Sequence, residues 1–82
     1  MSQPPFRRLA HTEVGLVTIE IFPADDHAAV TLYDGEGWEL RGEDTDYSEK
    51  NIRQSLVILG VSRNRAADIA GETVARYESR HG

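Results

Sequence analysis

The chain has 82 residues, no cysteine, and a formal net charge of −5 from 14 acidic and 9 basic residues. A chain of this length forms one small domain that buries only about 60 to 65% of the surface its unfolded form exposes, which leaves little material for an enclosed active site. The absence of cysteine excludes a disulfide framework and a cysteine-ligated zinc site. Net acidity disfavours a protein that binds nucleic acid by neutralising phosphates.

The amino-terminal residues show no pattern of targeting or of regular structure. Residues 1–5 end in Pro4-Pro5 and are expected to be disordered. Residues 6–82 contain no linker or repeat and are expected to form a single domain. No segment has the apolar run of a secretory signal or of a membrane span. We therefore expect a cytoplasmic protein with no membrane contact.

Strands are predicted in the first half of the chain. Alternating β-branched residues predict strands over residues 14–22 and 28–33. A glycine-containing turn follows, so residues 38–42 are expected to return as the third strand of an antiparallel meander. Trp38 and Leu40 are expected to join the buried face of this sheet.

Helices are predicted after Asp46, where apolar residues begin to recur every three or four positions. Asp46 and Glu49 have the spacing of a capping box, and Gly60 is expected to end the first helix. The first apolar stripe comprises Ile52, Leu56 and Leu59. Ser62 is expected to cap a second helix. Its stripe comprises Ala66, Ile69, Ala70, Val74 and Tyr77. Both helices can pack on one face of the sheet, which predicts an α+β fold with the order β-β-β-α-α.

No residue pattern predicts catalysis or metal binding. Asp25, Asp26 and His27 are adjacent in a predicted turn, where successive side chains point in different directions. His11 and His81 have no serine or carboxylate at the spacing of a nucleophile and its base. We therefore expect a protein that is not an enzyme and that holds no cofactor or metal.

One segment of the helical half resembles a known DNA-binding motif. Residues 59–62, followed by Ala66 and Ile69, resemble the turn and second helix of helix-turn-helix proteins. Leu56 departs from that pattern, because the family places a small residue there to let the helices cross closely. The resemblance implies that the hairpin over residues 52–77 binds DNA or RNA through Arg53, Arg63 and Arg65. The alternative is a plain helical hairpin in which Gly60 only stops a helix.

Two of these arginines raise an electrostatic question. Arg63 and Arg65 fall in the first turn of the second predicted helix, where a cation faces the positive end of the helix dipole. An anion is therefore expected nearby. It is supplied either by the acidic segment 43–46 or by a phosphate or carboxylate of a partner.

Charge is strongly separated along the chain. Residues 13–49 contain eleven acids and one base, whereas residues 50–82 contain three acids and six bases. The sheet face turned away from the helices, with its loops, is expected to present a negative field around an aromatic residue. The predicted partner-binding residues are Glu20, Tyr33, Asp34, Glu36, Glu39, Glu43, Asp44 and Asp46.

These observations favour a small, acidic, non-enzymatic binding protein. It would dock on the basic surface of a nucleic-acid-handling protein or complex and regulate or inhibit it. Small size, lack of cysteine, net acidity and lack of catalytic residues together resemble phage-encoded inhibitors of host defence, including anti-CRISPR proteins, as a class. One alternative is the helix-turn-helix-type regulator. Another is a structural or assembly subunit that pairs through a sheet edge, for example as a homodimer.

Overall fold

The computed structural model describes residues 4–81, apart from the side chain of His81. The elements in chain order are β1 (Phe6–Thr12), β2 (Gly15–Phe22), a 3-10 turn (Pro23–Asp25), β3 (His27–Tyr33), β4 (Glu39–Asp46), α1 (Glu49–Ile58) and α2 (Arg63–His81). Neither of these helices is long and apolar enough to cross a membrane, within the residues that the structure describes.

The four strands form one antiparallel sheet in the order β1-β2-β3-β4. Both helices pack on one face of this sheet and close a single core. The core contains Phe6, Ala10, Val17, Ile19, Ile21, Ala28, Val30, Leu32, Ile52, Leu56, Leu59, Val61, Ala66, Ile69 and Ala70. The predicted α+β architecture is confirmed, but the predicted number of strands is wrong, because the sheet has four strands rather than three.

The strand that the sequence did not reveal is β1. Its inward positions are Phe6, Arg8 and Ala10, which pair with the buried side of β2. An arginine in the middle of this set breaks the alternation of apolar and polar residues by which a strand is recognised. Pro4 and Pro5, just before β1, are exposed and belong to no helix or strand. The predicted disorder of residues 1–3 falls outside the described part of the chain.

The predicted burial of Trp38 and Leu40 is wrong, since their exposed fractions are 70% and 54%. The cause is the pairing register of β4. Arg41 lies opposite the inward residue Leu32, so Arg41, Glu43 and Thr45 lie on the helix side of β4. A β-bulge then sets both Glu39 and Leu40 against one residue of β3. Leu40 therefore lies on the side of the sheet that the helices leave uncovered.

Both helix starts are fixed by serine. The Ser48 hydroxyl accepts the Asn51 backbone N–H at 3.0 Å, so Ser48, rather than Asp46, caps α1. Asp46 is the last residue of β4. The Ser62 hydroxyl accepts the Arg65 backbone N–H at 3.3 Å at the start of α2. Gly60 separates the helices with a φ of +105°, a conformation that favours glycine.

Candidate docking face and arginine clusters

The sheet face opposite the helices, here called the outer face, is not covered by either helix. It consists of the strand residues that alternate with the core positions: Arg7, Leu9, His11, Leu16, Thr18, Glu20, Phe22, His27, Ala29, Thr31, Tyr33, Gly42, Asp44 and Asp46, with Glu39 and Leu40 at the bulge. Thr18, near its centre, is only 2% exposed, whereas Leu9 on the same face is 57% exposed.

The middle of the outer face is shallow and flanked by carboxylates. Across the strands, Glu20 lies next to Ala29, and Ala29 lies next to Asp44. The small side chain of Ala29 therefore separates two acidic residues. In the next row Thr31 pairs with Gly42, which has no side chain to fill the space above the sheet. A planar or extended group of a partner can approach the backbone closely at this point.

One end of the outer face is apolar and aromatic. Leu16 pairs with Tyr33, and Tyr33 lies opposite the bulge formed by Glu39 and Leu40. Trp38 precedes this bulge and is 70% exposed. An indole left this open to water is typical of a residue that a partner covers. Trp38 was missed by sequence reasoning because a tryptophan at a strand start is ordinarily assigned to the core.

The turn that carries Trp38 is ordered by Asp34. The Asp34 carboxylate accepts the backbone N–H groups of Glu36 at 2.8 Å and of Trp38 at 2.9 Å, and the Asp34 N–H donates to the Trp38 carbonyl at 2.9 Å. This network closes the loop between β3 and β4. Asp34 was predicted to bind a partner, but its carboxylate is engaged within the turn and holds the backbone of Trp38.

The structure gathers five of the eight predicted partner-binding residues on the outer face. They are Glu20, Tyr33, Glu39, Asp44 and Asp46. Asp34 and Glu36 lie in the adjoining turn. Glu43 does not belong to this surface, because it pairs with Val30 on the helix side and lies 3.9 Å from the Arg41 guanidinium.

The carboxylates of β4 form no ion pairs with the arginines of the two described helices. The Asp44 side chain is 78% exposed, and its carboxylate lies 3.4 Å from Nε2 of the His27 ring. Within residues 4–81, the ion pairs of β4 acids join them only to His27 and Arg41, and none reaches an arginine of α1 or α2. The negative potential of the outer face is therefore not cancelled internally.

The helical hairpin presents a separate groove of about 490 Å³. It is lined by Arg53, Gln54, Val57, Ile58 and Arg63. Neither arginine of this groove has an ion-pair partner among the described residues. Arg65 is not part of it, because its guanidinium donates to the His11 carbonyl of β1 at 3.0 Å. The three arginines of the predicted nucleic-acid site therefore do not form one surface.

The anion near the start of α2 is Glu13, in the turn between β1 and β2. Its carboxylate accepts the Ser62 backbone N–H at 2.6 Å, where a negative charge is favoured by the helix dipole. The acidic segment 43–46 makes no such contact, since it forms part of β4 at the other edge of the sheet. Segment 43–46 was predicted to supply the anion because it is the densest run of acids in the sequence. The fold instead places Glu13, which is distant in the chain, at the start of α2.

A third charged surface lies along the seam between β1 and α2. Arg8 points inward from β1 and donates to the Ile69 carbonyl and the Thr73 hydroxyl, each at 3.0 Å, and to the Glu72 carboxylate at 3.1 Å. Burial, and then the nearby charge of Arg76, lower the pKa of Arg8 below its usual value. This buried arginine was not singled out from the sequence, because only the pairing of β1 brings it against α2.

No group of three or more histidine, aspartate or glutamate side chains within residues 4–81 is placed to hold a metal ion. Comparison with protein families, with curated proteins and with solved structures finds no match to this chain.

Proposed function

We propose that this protein binds a basic protein surface through its outer face, with Trp38 as the apolar anchor. The observation that carries the proposal is the 70% exposure of Trp38, in the turn that leads from β3 into β4. Tryptophan and tyrosine dominate the residues that contribute most to protein–protein binding, because they bury much surface with little conformational entropy lost. Trp38 and Tyr33 lie at the same end of the sheet, on either side of the turn between β3 and β4.

Charge specifies the partner's chemistry. Glu20, Glu39, Asp44 and Asp46 surround the shallow centre of the outer face. A cluster of unpaired carboxylates attracts a positively charged surface and speeds its association. Arginine fits best, since its planar guanidinium can pair with a carboxylate and also stack on an aromatic ring.

The proposed partner is a protein or complex that handles nucleic acid. Such proteins carry clustered lysine and arginine because they neutralise phosphates. A negatively charged sheet seated on that cluster occupies the place of the nucleic acid. The consequence for the partner is regulation or inhibition without any chemistry by this chain.

Trp38 supplies a direct test because it is the only tryptophan in the chain. We would titrate the protein with an arginine-rich peptide and follow the indole emission. Covering the indole should shift the emission to shorter wavelength with saturation, and raising the salt concentration should weaken the binding. A peptide of the same length rich in glutamate is the control. No shift with the basic peptide, or an equal shift with the acidic one, would refute the proposal.

A matched pair of charge reversals locates the surface. Asp44→Lys changes the outer face, whereas Asp68→Lys makes the same change at an exposed position of α2. We expect Asp44→Lys to weaken binding of the basic peptide by about tenfold and Asp68→Lys to leave it within about twofold. Equal losses in the two variants would show that only the net charge matters and would remove the outer face from the explanation.

Two alternatives remain predictions with their own tests. Arg53 and Arg63 share one groove, so a helix-turn-helix role predicts that changing both to glutamine abolishes nucleic-acid binding in a mobility-shift assay. β1 and β4 are both edge strands, so an assembly role predicts a mass above the monomer by light scattering.

A further inference from the structure

The seam between β1 and α2 contains a cavity of about 350 Å³ whose character is opposite to that of the outer face. Four of the chain's nine basic residues line it, together with an aromatic ring and a hydroxyl. The lining residues are Phe6, Arg7, Arg8, Arg76, Ser79 and Arg80. The four arginines among them are here called the seam cluster. They come from opposite ends of the sequence and meet only because α2 crosses β1.

Arg8 is the member of the seam cluster whose side chain is fixed in position. Its side chain is only 11% exposed and is fixed by three hydrogen bonds to α2. Its Nε–H is buried and has no hydrogen-bond partner among the described residues. A buried donor without a partner is unusual and costs free energy.

The seam cluster has more positive charge than its surroundings balance. Glu72 is the carboxylate that pairs with it, at 3.1 Å from Arg8 and 3.9 Å from Arg76. In the described part of the chain, Arg7 and Arg80 have no ion pair. The guanidinium carbon of Arg80 lies 6.0 Å from the Phe6 ring centroid, a cation–π contact that holds it toward the cavity. Glu72 therefore pairs with two of the four guanidinium groups and leaves the other two without an ion pair in the described part of the chain.

We propose that the seam cluster binds a phosphate group, either as free phosphate or as a terminal phosphomonoester. A guanidinium group can donate two parallel hydrogen bonds to two oxygens of one phosphate. A phosphate dianion also neutralises more positive charge than a single carboxylate does. Phe6 is only 8% exposed and packs edge-on against Tyr77, so its ring is not free to stack on a base. Recognition therefore acts on the phosphate rather than on the group attached to it.

This site is independent of the proposed docking role. The outer face and the seam cluster use different residues apart from Arg7 at the edge of β1, and they attract ligands of opposite charge. Loss of one activity need not affect the other. A variant of the seam cluster that still shifts the Trp38 emission with a basic peptide would show that the two sites are separable.

The test is a titration of the folded chain with inorganic phosphate at low ionic strength, followed by NMR of backbone and arginine side-chain N–H groups. We expect saturable changes at Arg7, Arg8, Arg76 and Arg80. Arg7→Gln with Arg80→Gln should weaken binding by about a hundredfold, since each charged hydrogen bond contributes roughly a factor of ten. Both side chains are exposed, so the double variant should fold.

The matched control is Arg53→Gln with Arg63→Gln, which removes the same charge from the groove of the helical hairpin. This variant should bind phosphate as the unchanged protein does. Failure of the unchanged protein to saturate, or an equal loss in both double variants, would overturn the proposal.

A second set of ligands distinguishes the possible sources of the phosphate. A nucleoside 5′-monophosphate that binds as well as inorganic phosphate supports a terminal phosphomonoester. An oligonucleotide without terminal phosphate should bind the seam cluster more weakly than either. Binding of that oligonucleotide alone would overturn the proposal, because it would indicate a phosphodiester backbone rather than a single phosphate.

Discussion

Replacing Trp38 with alanine tests the geometry on which the docking proposal depends. Truncating a fully buried tryptophan or phenylalanine to alanine costs about 3 to 5 kcal/mol of unfolding free energy. Trp38 is 70% exposed, so less than a third of its surface is covered in the folded chain. Scaling the cost by the covered fraction gives about 1 to 1.5 kcal/mol for Trp38→Ala.

Leu56→Ala is the matched truncation inside the core. Leu56 is 0% exposed and belongs to the cluster that α1 packs against the sheet. Its truncation removes apolar contacts and leaves a cavity, so we expect a loss of about 2 to 5 kcal/mol. The smaller side chain should therefore produce the larger effect, which is the reverse of the order expected from side-chain size alone.

Urea denaturation followed by far-ultraviolet circular dichroism measures both variants, because this signal does not require the tryptophan. The slope of unfolding free energy against urea should be unchanged in Trp38→Ala. A loss above about 2 kcal/mol for Trp38→Ala would mean that the indole packs into the core. The sheet would then have no exposed anchor, and the reasoning behind the docking face would fail.

Three further predictions concern stability. Gly15→Ala should cost more than about 2 kcal/mol in urea denaturation, because Gly15 has a φ of +137° and a Cβ there would lie 2.6 Å from the Tyr33 carbonyl oxygen; a loss under about 0.5 kcal/mol would contradict this. Arg8→Met should stay within about 1 kcal/mol of the unchanged protein by the same assay, because the desolvation cost of Arg8 disappears, the Thr73 hydroxyl still donates to the Ile69 carbonyl, and Glu72 is half exposed to water. A loss above about 3 kcal/mol would contradict it. Burial, and then Glu78, raise the pKa of Tyr47 from 10.0 to about 12. The unfolded chain therefore loses this proton first, and stability should fall as the pH rises through that window; denaturation of Tyr47→Phe should lack this component, and an equal fall in both proteins would refute the assignment.

The helical half of the fold could be predicted from the sequence because its determinants are local. The stripe of Ile52, Leu56 and Leu59 is buried as expected, since a helix sets which residues share a face through its own period. Gly60 and Ser62 act within one turn of their own position, so they could also be recognised. The assignment of Asp46 as a cap failed because the neighbouring strand extended to include it.

The sheet and the sites depended on tertiary structure. A strand's period of two shows which residues alternate, but pairing with a neighbour decides which set faces the core. The register of β4 against β3 set Arg41, rather than Leu40, opposite the core residue Leu32 and left Leu40 exposed. β1 was not predicted because an arginine, Arg8, occupies one of its inward positions. The acceptors on α2 that make this position possible are more than 60 residues away in the chain.

The amino-acid order by itself determined that this protein is acidic, that its charge is divided between its two halves, and where its helices run. Only the folded sheet decided that Trp38 is exposed beside carboxylates and that Arg7 and Arg8 meet Arg76 and Arg80. The physical reason is range: helix periodicity and capping act over a few residues, whereas exposure and charge clustering are set by the partners that strand pairing and helix docking bring together.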